Sequence, residues 1–187
     1  MAAFLKESDM LLGVKWKNPS GGDSKKMIGL VLNEGGYVTY PYEVFKHIEE
    51  YVKTLNWRIP YVECGGDGSN YVFPFEQQED YFVDGETLMS MLREHPGMQW
   101  WWGTLAGYHK DVLWEEINQF PVIDISLSQP YLENNLHHLY PGAVLELIAF
   151  DSTETYVLID DPDVADRLLA AFPKAESLDK YVFKTEK

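Results

Sequence analysis

Cysteine is nearly absent from this chain: Cys64 is the only one in 187 residues. No intrachain disulfide can form, so the fold must persist on its core alone, and the reducing cytoplasm is the expected location. Long apolar runs are missing too. No stretch reaches the ~18 residues that suggest a membrane helix, so no membrane role is expected. The first residues, Met1-Ala2-Ala3-Phe4-Leu5-Lys6-Glu7, lack the basic start and apolar stretch of a secretion signal. Positive charge is scarce. Fifteen lysines and arginines stand against thirty aspartates and glutamates, for a formal net charge of -15. Such a surface repels a phosphate backbone, which argues against direct nucleic-acid binding. The same field attracts a basic protein and speeds its arrival, although negative charge also serves solubility alone.

The signatures of common enzyme classes are missing as well. Neither GxGxxG, GxSxG nor HExxH occurs. The stretch Ser20-Gly21-Gly22-Asp23-Ser24-Lys25-Lys26 has glycine, serine and lysine, but not the order or the following helix of a phosphate loop. Cys64 precedes the loop Gly65-Gly66-Asp67-Gly68, which could expose a thiolate, yet spacing selects none of His47, His95 or His109 as its base. His137 and His138 are adjacent, so on a helix they diverge by ~100° and do not readily share one metal. Glu133 allows a single carboxylate–histidine pair with His137. Asp160, Asp161, Asp163 and Asp166 lack the glycine and distant glutamate of a calcium loop, and helix capping accounts for three of the four. Neither a metal nor a cofactor is expected.

Aromatic residues are present in surplus: six tryptophans, twelve tyrosines and nine phenylalanines. Three tryptophans are consecutive, Trp100-Trp101-Trp102, followed by Gly103. Strand alternation places Trp100 and Trp102 on one face and Trp101 on the other. A large indole is then left for a covering helix, a second subunit or a partner. Tryptophan and tyrosine bury much area with few rotors, so the trio and nearby Tyr108 are candidate binding residues. The plain alternative is a bulky core with an ordinary surface.

The order of elements predicts an α+β fold, a largely antiparallel mixed sheet with helices packed on it, in one domain over 1–187. Leu11–Lys17, Met27–Leu32 and Tyr37–Tyr40 read as a three-stranded meander. Pro41 opens a helix to about Leu55. Strands follow at Trp57–Glu63, with Pro60 at an edge or bulge, and at Tyr71–Phe75. Asp84 caps a helix over about 85–95. The tryptophan strand runs from Met98 to about Leu105, then a helix over 111–120, a strand over 122–127 and a helix over 129–139. Ala143–Phe150 and Glu154–Ile159 form a hairpin across Asp151-Ser152-Thr153. Asp161-Pro162-Asp163 opens a helix to Phe172, and Tyr181–Phe183 returns as an edge strand.

The terminal segment Leu145-Glu146-Leu147-Ile148-Ala149-Phe150-Asp151-Ser152, then Tyr156-Val157-Leu158-Ile159 and the capped Asp161-Pro162-Asp163, resembles small acidic bacterial proteins, including those that neutralise partner toxins. The resemblance spans about a fifth of the chain and implies a non-catalytic inhibitor or immunity-type protein. With the charge and the missing catalytic motifs, the expectation is an acidic module for a basic protein partner. Its candidate contacts are Trp100, Trp101, Trp102, Tyr108, Glu49, Glu50, Asp161 and Asp163. Two other functions fit the composition: a small-ligand enzyme or sensor with an aromatic cleft near His109, Cys64 or Asp111, and a DNA mimic whose carboxylates imitate phosphates. The sequence carries no mark of oligomeric state.

Overall fold

A computed structural model describes residues 27–33, 39–66, 72–78, 80–123, 125 and 137–181. The α+β expectation holds. One antiparallel sheet contains β1 (Ile28–Leu32), β2 (Leu55–Ile59), β3 (Val62–Gly65), β4 (Tyr81–Asp84), β5 (Gln99–His109), β6 (Leu145–Phe150), β7 (Glu154–Ile159) and β8 (Glu176–Ser177). The spatial order is β4-β2-β5-β6-β7-β1-β8, and β3 pairs with β5 beside β2. β5 is the spine, since β2 lies along residues 106–109 and β3 along residues 99–103 of it. Pro60 separates β2 from β3 because it has no N–H for the ladder. The single strand expected over Trp57–Glu63 is therefore two: β2 lies inside the sheet between β4 and β5, while β3, after Pro60, pairs with β5 alone among the described residues.

Both faces of the sheet are covered. Leu145, Leu147, Val157 and Ile159 point to one core and Ile148, Tyr156 and Leu158 to the other. That is why β6 and β7 read as continuous apolar runs rather than alternating ones. The first face carries α1 (Pro41–Phe45), α2 (Glu49–Lys53), α3 (Gly85–Glu94) and α5 (Pro162–Ala171), through Phe45, Val52, Leu88, Leu92, Val164 and Leu168. The second is covered by irregular chain around Val112, Ile125, Leu139, Tyr140 and Leu178, with the single turn α4 (Trp114–Ile117).

Caps account for the best-defined helices. The Asp84 carboxylate accepts the Thr87 N–H at 3.0 Å and the Thr87 hydroxyl at 2.7 Å, starting α3. Asp161 accepts from Asp163 N–H at 2.9 Å, with Pro162 at the first helical position of α5. The hairpin turn is equally local. Thr153 N–H bonds Phe150 C=O at 3.2 Å, and Asp151 and Ser152 between them have φ of 47° and 62°. Two left-handed central residues make the type of turn whose twist matches its strands.

Several expected elements differ. The helix from Pro41 is broken at His47 and Ile48, whose N–H groups donate i→i−3 bonds to the carbonyls of Val44 and Phe45 in place of the helical ladder, and Leu55 already belongs to β2. Among the described residues β1 pairs with β7 on one edge and with β8 on the other, rather than with the expected meander strands. Thr39 and Tyr40 are irregular, and Leu11–Lys17 and Tyr37–Val38 lie outside the described residues. Pro74 turns the expected strand over 71–75 into a 3-10 turn at Pro74–Glu76. The helix over 111–120 shrinks to α4, and no strand forms over 122–123. Most of the expected helix over 129–139 is outside the described residues, as are Val182 and Phe183; Tyr181 is irregular. Among the described residues β8 ends the strand order, beside β1.

Candidate functional site

β5 is bulged inside the tryptophan run. Glu63 pairs with Trp102 and Cys64 with Trp100, which leaves Trp101 opposite no residue of β3. A bulge inserts one residue and reverses the alternation beyond it. Trp100 therefore enters the helix-covered core with no exposed surface, while Trp102 packs on the opposite core. The expectation that Trp100 and Trp102 share a face is overturned, and the bulge is the reason. Gly103 makes room: a Cβ there would stand 2.8 Å from Trp100 Cε3 and 3.1 Å from Val62 Cγ2.

Trp101 is left 44% exposed at the bulge. Its indole lies along β3, where a Cβ at Gly65 would stand 3.3 Å from Cη2 and Cζ2. Its carbonyl accepts the Ser152 N–H at 3.1 Å, which sets the β6–β7 turn and Asp151 beside it. Across the ladder, Glu63 is exposed and accepts the hydroxyl of Tyr61, itself 38% exposed. Half-buried Trp102 meets Phe150 edge-on, with centroids 4.8 Å apart. From Phe150 the aromatic row continues to Tyr156 at 5.7 Å and Tyr181 at 6.5 Å. Both tyrosine hydroxyls donate to Glu154. Burial, then Glu154, pushes the Tyr181 hydroxyl up to about 12. The strand segments that build this surface, 59–66, 98–109 and 145–160, contain no lysine or arginine.

The other candidate contacts fall elsewhere. Tyr108 is fully buried beneath the second face and, like Trp100, has no surface for a partner. Glu49 is partly covered and bridges Lys53 and Arg93; the Arg93 contact, then Lys53, holds its carboxyl below the usual range. Glu50 is 84% exposed in its side chain and lies 3.3 Å from Lys53 Nζ. Asp161 caps α5 and Asp163 is exposed in its first turn. These four acids lie in the helical layer. Tyr51 lies within reach of one of them, since burial and then the charges of Asp161 and Asp160 raise its hydroxyl to about 12.

Beneath the second face lie polar groups that sequence reasoning passed over. The Arg58 guanidinium is buried and binds both oxygens of Asp80, the carbonyl of Ile117 at 3.2 Å and that of Phe120 at 2.8 Å. It stacks 5.0 Å over the Tyr140 ring. Glu146, fully buried, accepts Leu139 N–H at 2.8 Å and Tyr140 N–H at 2.7 Å. His138 Nδ1 lies 3.4 Å from Glu146, and its Nε2 bonds Asp160 at 2.9 Å. Burial opposes charge on His138, but the two carboxylates outweigh it and raise the imidazole to about 9. A usable signal was present. A charge inside an apolar strand, as in Trp57-Arg58-Ile59 or Leu145-Glu146-Leu147, must find a partner if the sheet is covered on both faces.

These ion pairs fasten irregular chain to the sheet. Of the groups suggested for an enzyme, Cys64 lies opposite Trp100, whereas His109 is at the other end of β5, on the order of 30 Å away. Cys64 also faces the helical core, while Trp101 is exposed at the bulge. Among the described residues no group of three His, Cys, Asp or Glu is placed to hold a metal ion. No helix among them is long and apolar enough to cross a membrane. A scan against protein-family models finds no match for this chain, and neither does a search of curated proteins or of solved structures.

Proposed function

We propose that this chain is a non-catalytic, acidic protein-binding module that neutralises a basic partner in the cytoplasm, in the manner of an inhibitor or immunity protein. The observation that carries the reading is Trp101, held half-open at a bulge beside Glu63 on strands free of lysine and arginine. A bulge of this kind re-aims a side chain at some cost to the ladder. An exposed tryptophan is the residue type most often found to dominate binding energy. The net charge of -15 supplies attraction at long range. Glu50 and Asp163 add exposed carboxylates in the helical layer, and the lone Cys64 suits a reducing compartment. The test is capture from the native host with wild-type and Trp101→Ala baits, read by quantitative mass spectrometry. A basic protein enriched by the wild type and depleted by the variant supports the reading. Equal capture by both baits contradicts it.

A further inference from the structure

We infer that the surface around Trp101 and Glu63 is an anchor for an arginine side chain of the partner. The inference rests on the basic-partner reading above and names the chemistry of its central contact. Tyr61, Glu63 and Gly65 alternate onto one side of β3, and Trp102 opposite Glu63 lies on that side too. Trp101 covers Gly65, so two indoles, a phenol and a carboxylate share one small surface.

A planar cation suits this set better than a compact one. Guanidinium is weakly hydrated, stacks on aromatic faces and meets a carboxylate through paired N–H groups. Tyr61 donates to one oxygen of Glu63, which orients the carboxylate, and an ionised carboxylate has about four lone-pair sites, so capacity remains. Asp151 is exposed and directly precedes Ser152, whose N–H is bonded to the Trp101 carbonyl, so a second acidic residue stands on the neighbouring turn. No lysine or arginine within 59–66, 98–109 or 145–160 competes for these acceptors. Lysine would meet the same charge but forgo the planar stack, so arginine is favoured.

The experiment titrates the full chain with an Arg-Gly-Ser repeat peptide, its Lys-Gly-Ser counterpart and a neutral Gln-Gly-Ser control, following the indole N–H resonances. The arginine peptide should bind more tightly than the lysine one and shift the Trp101 resonance. Trp101→Ala and Glu63→Gln should each weaken it about three- to tenfold, with Trp101→Phe falling between. Should Trp101→Ala prove poorly folded, Trp101→Phe and Glu63→Gln, which keep the surface filled, still decide the matter. Equal binding of both basic peptides, unchanged by these variants but weakened by Glu50→Gln with Asp163→Asn, overturns the anchor and leaves the acidic module standing. Equal binding of the neutral peptide overturns the arginine assignment in favour of apolar contact. No binding of either basic peptide overturns the anchor, while the capture experiment above decides the basic-partner reading separately.

Discussion

Trp100 and Trp102, separated by one residue on β5, project to opposite faces of the sheet, Trp100 among the helices and Trp102 against Phe150. The three indoles therefore differ in what they hold. Trp100→Ala should cost roughly 3–5 kcal/mol, as large truncations in a closed core do. Trp102→Ala should cost less, and Trp101→Ala within about 1 kcal/mol, because it stays near the surface. Urea unfolding of the three variants gives the ranking. Equal losses at all three positions would mean that Trp101 is also buried.

Arg58 has only 1% of its side chain exposed and depends on Asp80 for its counter-charge. Asp80→Ala should destabilise by about 3–5 kcal/mol by leaving a buried cation unpaired. Adding Arg58→Met to that variant should restore part of the loss, since the pair is costly to desolvate. A double-mutant cycle measures this, and a small effect of Asp80→Ala would place the guanidinium in contact with water.

The pH dependence follows from His138. Its folded value, raised to about 9 by Asp160 and Glu146 against burial, lies above the ordinary 6.5. The stability it contributes is complete below about pH 6.5 and is lost as pH rises through about 9. The full contribution is on the order of 3 kcal/mol. Wild type should lose stability across that window, and His138→Gln should show a flatter profile. Identical profiles would exclude a charged His138.

At the hairpin, Ser152 holds a φ of 62°, which costs a non-glycine residue about 1 kcal/mol. Asp-Gly is the favoured pair for such a turn. Ser152→Gly should raise the unfolding free energy by a few tenths to about 1 kcal/mol, since the Ser152 backbone contacts to Thr39, Gln99 and Trp101 remain available. A clear loss in denaturant unfolding would show that the serine side chain has a role of its own.

Local signals were legible where local chemistry decides the outcome. Asp84, Asp161 and Pro162 mark their helices, and Asp151-Ser152 marks the hairpin, because caps and turns act within a few residues. β4 and β8 were missed because so few residues carry little periodicity. The chain covering the second face lacks a repeating pattern, so its contribution to the core was hidden. The bulge was invisible for another reason: a run of three identical side chains gives alternation no contrast from which to read a shift. Arg58–Asp80 spans 22 positions and His138–Glu146 joins irregular chain to β6, so only the charge within each apolar strand hinted at them.

The central claim is that charge brings a basic partner to this protein and Trp101 helps hold it. Association kinetics with the captured partner test both halves at once. Raising salt from low to physiological strength shortens the screening length toward ~8 Å, and the association rate of the wild type should fall markedly. Trp101→Ala should leave that rate and its salt dependence nearly intact while speeding dissociation. An association rate indifferent to salt, with dissociation unchanged by Trp101→Ala, would contradict the account.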